Sequence, residues 1–127
     1  MNETHFLNID LDIESHQDIS LLVRELSCCL TLMTHHVCEG INRASFESCE
    51  SGVEEIVNEF INAVGKLSNE ARSSWNSCIK REFNFGYQAE DTPRSFTSLV
   101  PTQALNEMVS VNAQVGITIY APSRNFT

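Results

Sequence analysis

Basic residues are scarce in this chain, and that scarcity limits its partners most. Eight Lys and Arg stand against 17 Asp and Glu, a net charge of −9 at pH 7. Phosphate backbones and anionic lipid surfaces repel such a molecule, which argues against nucleic-acid binding and membrane adsorption. Five glycines and three prolines among 127 residues are too few for a collagen-like or low-complexity chain. No run approaches the roughly 18 apolar residues of a membrane-spanning helix. Met1-Asn2-Glu3-Thr4-His5 has neither a basic n-region nor a following apolar h-region, so the expected location is the cytoplasm. The glycosylation patterns Asn2-Glu3-Thr4 and Asn125-Phe126-Thr127 would not meet their enzyme there.

Cys28, Cys29, Cys38, Cys49 and Cys78 are odd in number and lack CxxC spacing, so neither a disulfide framework nor a zinc knuckle is indicated and buried free thiols are expected. GxSxG, P-loop, GxGxxG and HExxH patterns are all missing. No catalytic residue, metal ligand set or cofactor is therefore assigned, and the chain reads as a binding protein rather than an enzyme.

What is present is an ordinary globular balance, 42% hydrophobic and 20% charged in 14.3 kDa. That suits one domain over residues 1–127, burying about two-thirds of its unfolded surface. Leu7, Ile9, Leu11 and Ile13 alternate with Asn8, Asp10, Asp12 and Glu14, the period of a half-buried strand. Ser15 and Asp18 resemble a capping box ahead of Ile19, Leu22, Val23 and Leu26, which predicts a helix over about 16–28. Leu30–Val37 reads as a strand and Ala44–Cys49 as its hairpin partner across residues 38–43. Ser51 and Glu54 form a second capping-box pattern before the helical stripe Val53, Ile56, Val57, Phe60, Ile61 and Val64. A further helix starts at Ser68-Asn69-Glu70 and carries Ala71, Trp75, Cys78 and Ile79 on one face. Phe83, Phe85 and Tyr87 mark a strand, 89–100 a loop, Pro101 a helix start and Ile117–Ala121 a closing strand after Gly116. The order β-α-β-β-α-α-β-α-β predicts an α+β domain, a largely antiparallel sheet of about five strands with helices packed on it, partly ferredoxin-like in its opening split βαβ unit.

The charge is uneven. Residues 1–64 hold 12 acids and two bases, a balance of −10; residues 65–127 hold five acids and six bases, a balance of +1. Two acidic sets are candidate partner-binding residues: Glu47, Glu50, Glu54, Glu55 and Glu59, read as running from the third strand along the outer face of the long helix, and Asp10, Asp12 and Glu14 on one side of the first strand. A face with almost no interspersed Lys or Arg repels itself, which invites a basic partner. His35, His36 and Cys38 leave an alternative, a small-ligand or metal-binding module. Adjacent strand residues face opposite ways, however, so a buried histidine and a buried thiol are expected instead. Trp75, Phe83, Phe85 and Tyr87, with no basic groove beside them, are expected in the core rather than on a base-stacking platform.

Phe83-Asn84-Phe85-Gly86-Tyr87, Ser95-Phe96-Thr97, the Pro101-led helix and Val115-Gly116-Ile117-Thr118-Ile119-Tyr120 together resemble a family of small bacterial α/β proteins of unknown function. Some of its members are thought to be polymorphic-toxin immunity proteins. The match is to structural residues over the last third of the chain, with Val100-Pro101 where the family commonly has Ser-Pro. The resemblance implies no catalytic residue and a binding role without a known ligand; taken with the acidic first half, it leads to the expectation of an immunity-type protein whose partner is a basic protein, a toxin domain.

Overall fold

A computed structural model describes residues 3–122; the Asn125 glycosylation pattern and Asn2 of the other lie outside this range. The elements follow the expected order: β1 (His5–Ser15), α1 (Ser20–Leu26), β2 (Thr31–Cys38), β3 (Ile41–Glu47), α2 (Val53–Gly65), α3 (Asn69–Ser77), β4 (Lys80–Gln88), α4 (Thr102–Ser110) and β5 (Gln114–Tyr120). The strands form one sheet in the order β2-β3-β1-β4-β5. Every neighbouring pair is antiparallel except β4 and β5, which run parallel. β3 lies between β1 and β2, so β1-α1-β2-β3 is a split βαβ unit, and β4 on the far side of β1 completes a ferredoxin-like sheet. The α4–β5 unit is an addition, joined by the helical crossover that a parallel pair requires.

Period-two patterning decides which face of the sheet is dry. Ile9, Leu11 and Ile13 of β1, Ala44 and Phe46 of β3, and Phe83, Phe85 and Tyr87 of β4 meet Leu22, Leu26, Ile56, Val57, Phe60, Trp75 and Met108 from the helices in one core. Phe60 and Phe83 pack edge to face with ring centroids 5.3 Å apart, a favourable aromatic geometry. Trp75 buries its indole and donates from Nε1 to the Val111 carbonyl at 2.9 Å. Among the described residues, no helix packs on the other sheet face.

Several local expectations are corrected. The first helix spans Ser20–Leu26, not 16–28, because β1 extends to Ser15, paired with Asn42. Asp18 then accepts from both the N–H and the hydroxyl of Ser20 in an Asx turn. Neither capping box forms: Ile19 and Gly52 occupy the N-cap positions without side-chain caps. Ser68 does cap α3, accepting from Ala71 N–H. The hairpin turn is shorter than expected, only Glu39 and Gly40, with φ of 52° and 78°. Two consecutive positive φ values are the mark of a type I′ turn, whose twist matches the strands it joins. Gly116 lies inside β5 rather than before it.

Burial is corrected too. β2 is an edge strand exposed along its whole length, so His35, His36 and Cys38 are exposed and not buried. Of the five free cysteines only Cys78 is buried; Cys28, Cys38 and Cys49 are exposed and Cys29 is intermediate.

Candidate partner-binding face of the sheet

β1 is the middle strand, so its polar side chains occupy the centre of the uncovered face. Antiparallel register sets their neighbours: Asp10 stands opposite Glu47 on one side and Asn84 on the other, Asp12 opposite Ser45 and Glu82, and Glu14 opposite Arg43 and Lys80. Side chains opposed in this way stand about 5 Å apart at Cβ. Five carboxylates, Asp10, Asp12, Glu14, Glu47 and Glu82, thus share a face with two cations, Arg43 and Lys80.

The cations gather at one end. Arg43 Nε lies 3.6 Å and Lys80 Nζ 3.5 Å from Glu14, and Lys80 also reaches Glu82 at 3.7 Å. Asp12 accepts from the Ser45 hydroxyl at 2.6 Å. At the other end, Asp10 and Glu47 share only the Asn8 amide, at 3.1 and 3.5 Å. Partial burial, with Asp12 and Glu47 adding their negative charge, pushes the Asp10 carboxyl up to about 6. Polar bonds brace the rim: Asn84 and Gln114 each donate to Glu82 at 3.3 Å, and Thr118 donates to Asn84 at 2.9 Å.

The expected continuous ridge from Glu47 along the long helix does not exist in that form. Glu47 joins Asp10 on the open sheet face. Glu50, Glu55 and Glu59 line an open groove of about 510 Å³ on the helix side, together with Lys66. Glu54 turns away from them, into a depression shared with Glu107 of α4. Glu59 accepts from Cys49 N–H at 3.3 Å and from its Sγ at 3.5 Å, and this carboxylate holds the Cys49 thiol above its ordinary value. Burial pushes Cys78 up to about 11. Both shifts disfavour the thiolate, the form a nucleophile needs.

His35 pairs with Ala44 and His36 with Arg43 across the β2–β3 ladder, which places the two imidazoles on opposite faces. Among the described residues, no group of three His, Cys, Asp or Glu is placed to hold a metal ion, and no helix is long and apolar enough to cross a membrane. Glu82 is the member of the acidic face that sequence reasoning missed. Its alternation with Phe83 marked it as outward-facing, but only strand pairing sets it beside Asp12.

No family model matches this chain, and neither a curated protein nor a solved structure does.

Proposed function

We propose that this chain is an immunity-type binding protein, which captures a basic domain of a cognate bacterial toxin on the open acidic face of its sheet and blocks that domain by covering its active site. One observation carries the reading: Asp10 and Glu47 face each other on the uncovered face of the sheet with no cation beside them among the described residues, while Arg43 and Lys80 of the same face are committed to Glu14 and Glu82. Like charges directly opposed cost the fold stability. A surface that is costly when free and relieved by an incoming Lys or Arg is suited to a basic partner, and long-range attraction then raises the association rate. The toxin class of that partner rests on the resemblance of the C-terminal third. Glu50, Glu55 and Glu59, on the other side of the molecule, add to the long-range field without sharing the contact.

Capture from a lysate of the source cell, at low and high salt, tests this. The wild-type protein should retain a basic protein at low salt and release it at high salt. Replacement of Asp10, Asp12 and Glu47 by Asn, Asn and Gln should weaken retention by at least tenfold, about 1.4 kcal/mol, and flatten the salt dependence. The matching Glu50, Glu55 and Glu59 to Gln variant should alter only the association rate. Co-expression of the captured protein should arrest growth, and the wild-type chain should restore it. Retention unaffected by the sheet-face substitutions, or no basic protein retained, overturns the reading.

A further inference from the structure

Among the described residues, β5 is an edge strand with none of the usual protection against pairing. Gln114–Tyr120 contains no charge and no proline, and its register against β4 is unbroken from Gln114 to Tyr120. The opposite edge differs: β2 carries two histidines and a register shift between Leu32 and Thr34. Charged residues, prolines and bulges are the devices that keep edges from meeting other chains.

The side chains of β5 that face the helix layer are left uncovered. Val115, Ile117 and Ile119 pair with Phe83, Phe85 and Tyr87 of the core face, yet Ile117 and Ile119 are each 66% exposed. On α4, Gln103 and Glu107 line the depression shared with α2, so Leu105 and Val109 occupy the opposite flank of that helix, Val109 being 70% exposed. With Tyr120, these six residues present on the order of 600 Å² per molecule, approaching the roughly 800 Å² that each partner contributes to a standard interface.

We propose that the occupant is a second copy of this chain, its β5 pairing antiparallel with this one about a two-fold axis beside Ile117, to give a continuous ten-stranded sheet. Backbone direction supports that register. Tyr120 C=O accepts from Ala89 N–H and therefore faces β4. By alternation Gln114, Gly116 and Thr118 also face β4, whereas the N–H and C=O groups of Val115, Ile117 and Ile119 point away from the sheet. Centred on Ile117, those outward groups match one another: Ile117 opposes its own copy and Val115 opposes Ile119, with a β-branched pair at each step. On the other face Thr118 opposes Gly116, over which the Glu82 and Asn84 side chains of β4 already close, and Tyr120 opposes Gln114. The interface is isologous and closes on itself.

Charge selects the same site. Two molecules of net charge −9 repel one another wherever carboxylates face, but from Ser95 to Pro122 the only charged residue is Glu107, which lies on the α2 side of α4. On the helix side of β5 two copies meet without opposing acids; on the other face Glu82 of β4 reaches over Gly116, where Lys80, Asn84 and Gln114 hold its carboxylate. The acidic sheet face stays open in the dimer, so this inference stands independently of the proposed partner.

Sedimentation equilibrium across a dilution series, in about 0.3 M salt where the Debye length is near 6 Å, measures the mass, and amide hydrogen exchange on the same samples reads the register. The expected result is a mass of twice 14.3 kDa at high concentration, with the Val115, Ile117 and Ile119 amides protected there and exchanging on dilution. Ile117→Lys and Ile119→Lys should each weaken association at least tenfold and leave the circular dichroism spectrum unchanged. A monomeric mass throughout, a dimer whose three amides exchange freely, or an open-ended assembly overturns the proposal. The exchange measurement on the wild-type protein decides the matter even if a lysine variant fails to fold.

Discussion

Asp10 of β1 and Glu47 of β3 are directly opposed across an antiparallel ladder, with the Asn8 amide their only shared donor among the described residues. The pair lies on the face that no described helix covers, at the end away from Arg43 and Lys80, and its opposed like charges strain the free protein. Relief of that strain on binding is a differential free energy, the only quantity through which a partner can be favoured by the free surface it meets.

The Asp10 carboxyl, raised from 3.8 to about 6 in the folded state, gives the first prediction. Between those values the native state holds more of this proton than the unfolded state, so stability contributed by the protonated form is complete below about pH 4 and is lost as pH rises through 6. Asp10→Asn removes that loss. At pH 7 the variant should be more stable than wild type by about 0.5–1 kcal/mol, a value reduced for the solvent this half-buried group still sees. The difference should shrink toward zero near pH 4. Urea unfolding of both proteins from pH 4 to 8 checks it, and a difference independent of pH contradicts it.

Two donors hold the turn after α4. Trp75 Nε1 bonds the Val111 carbonyl at 2.9 Å, and Arg81 Nε bonds the next carbonyl, Asn112, also at 2.9 Å. Arg81 Nη1 bonds the Trp75 and Cys78 carbonyls as well, at 3.1 and 2.6 Å. Trp75→Phe should cost about 1–3 kcal/mol, because it leaves a buried carbonyl without its donor. Arg81→Met should cost about 1.5–3 kcal/mol through its charged hydrogen bonds. The double variant should depart from additivity by at least 0.5 kcal/mol, as neighbours sharing a network do; a double-mutant cycle by denaturant unfolding measures this.

Glycine substitutions should act in opposite directions at two positions. Gly40 has a φ of +78° and nothing within 4 Å of an added Cβ, so Gly40→Ala should destabilise by about 1–2 kcal/mol through backbone conformation alone. Gly65, the last residue of α2, likewise has open space around it and no positive φ. Gly65→Ala should stabilise by about 0.4–1 kcal/mol by restricting the unfolded chain. Thermal unfolding midpoints of the two variants should therefore fall on opposite sides of the wild-type value.

The face of each residue was legible wherever one period ran without interruption. Alternation in Leu7–Glu14 put Asp10, Asp12 and Glu14 on one side of a strand, and the stripe from Val53 to Val64 located α2 and its outward acids. Helix starts were less legible. A capping side chain competes with what precedes it, and here β1 claimed Ser15 for the sheet before a helix could form.

Periodicity in the amino-acid sequence thus determined the α+β class, the order of nine elements and the acidity of the first half, all of them consequences of local pattern and composition. Neighbours were another matter. That Glu47 belongs with Asp10 and not with Glu50, that Glu82 completes the acidic face, and that β2 and β5 lie at the edges with exposed histidines, thiols and isoleucines all follow from which strands pair. Pairing is settled by contacts between residues far apart in the chain, formed only when the helices close over one side of the sheet, and it leaves no periodic trace within any single strand.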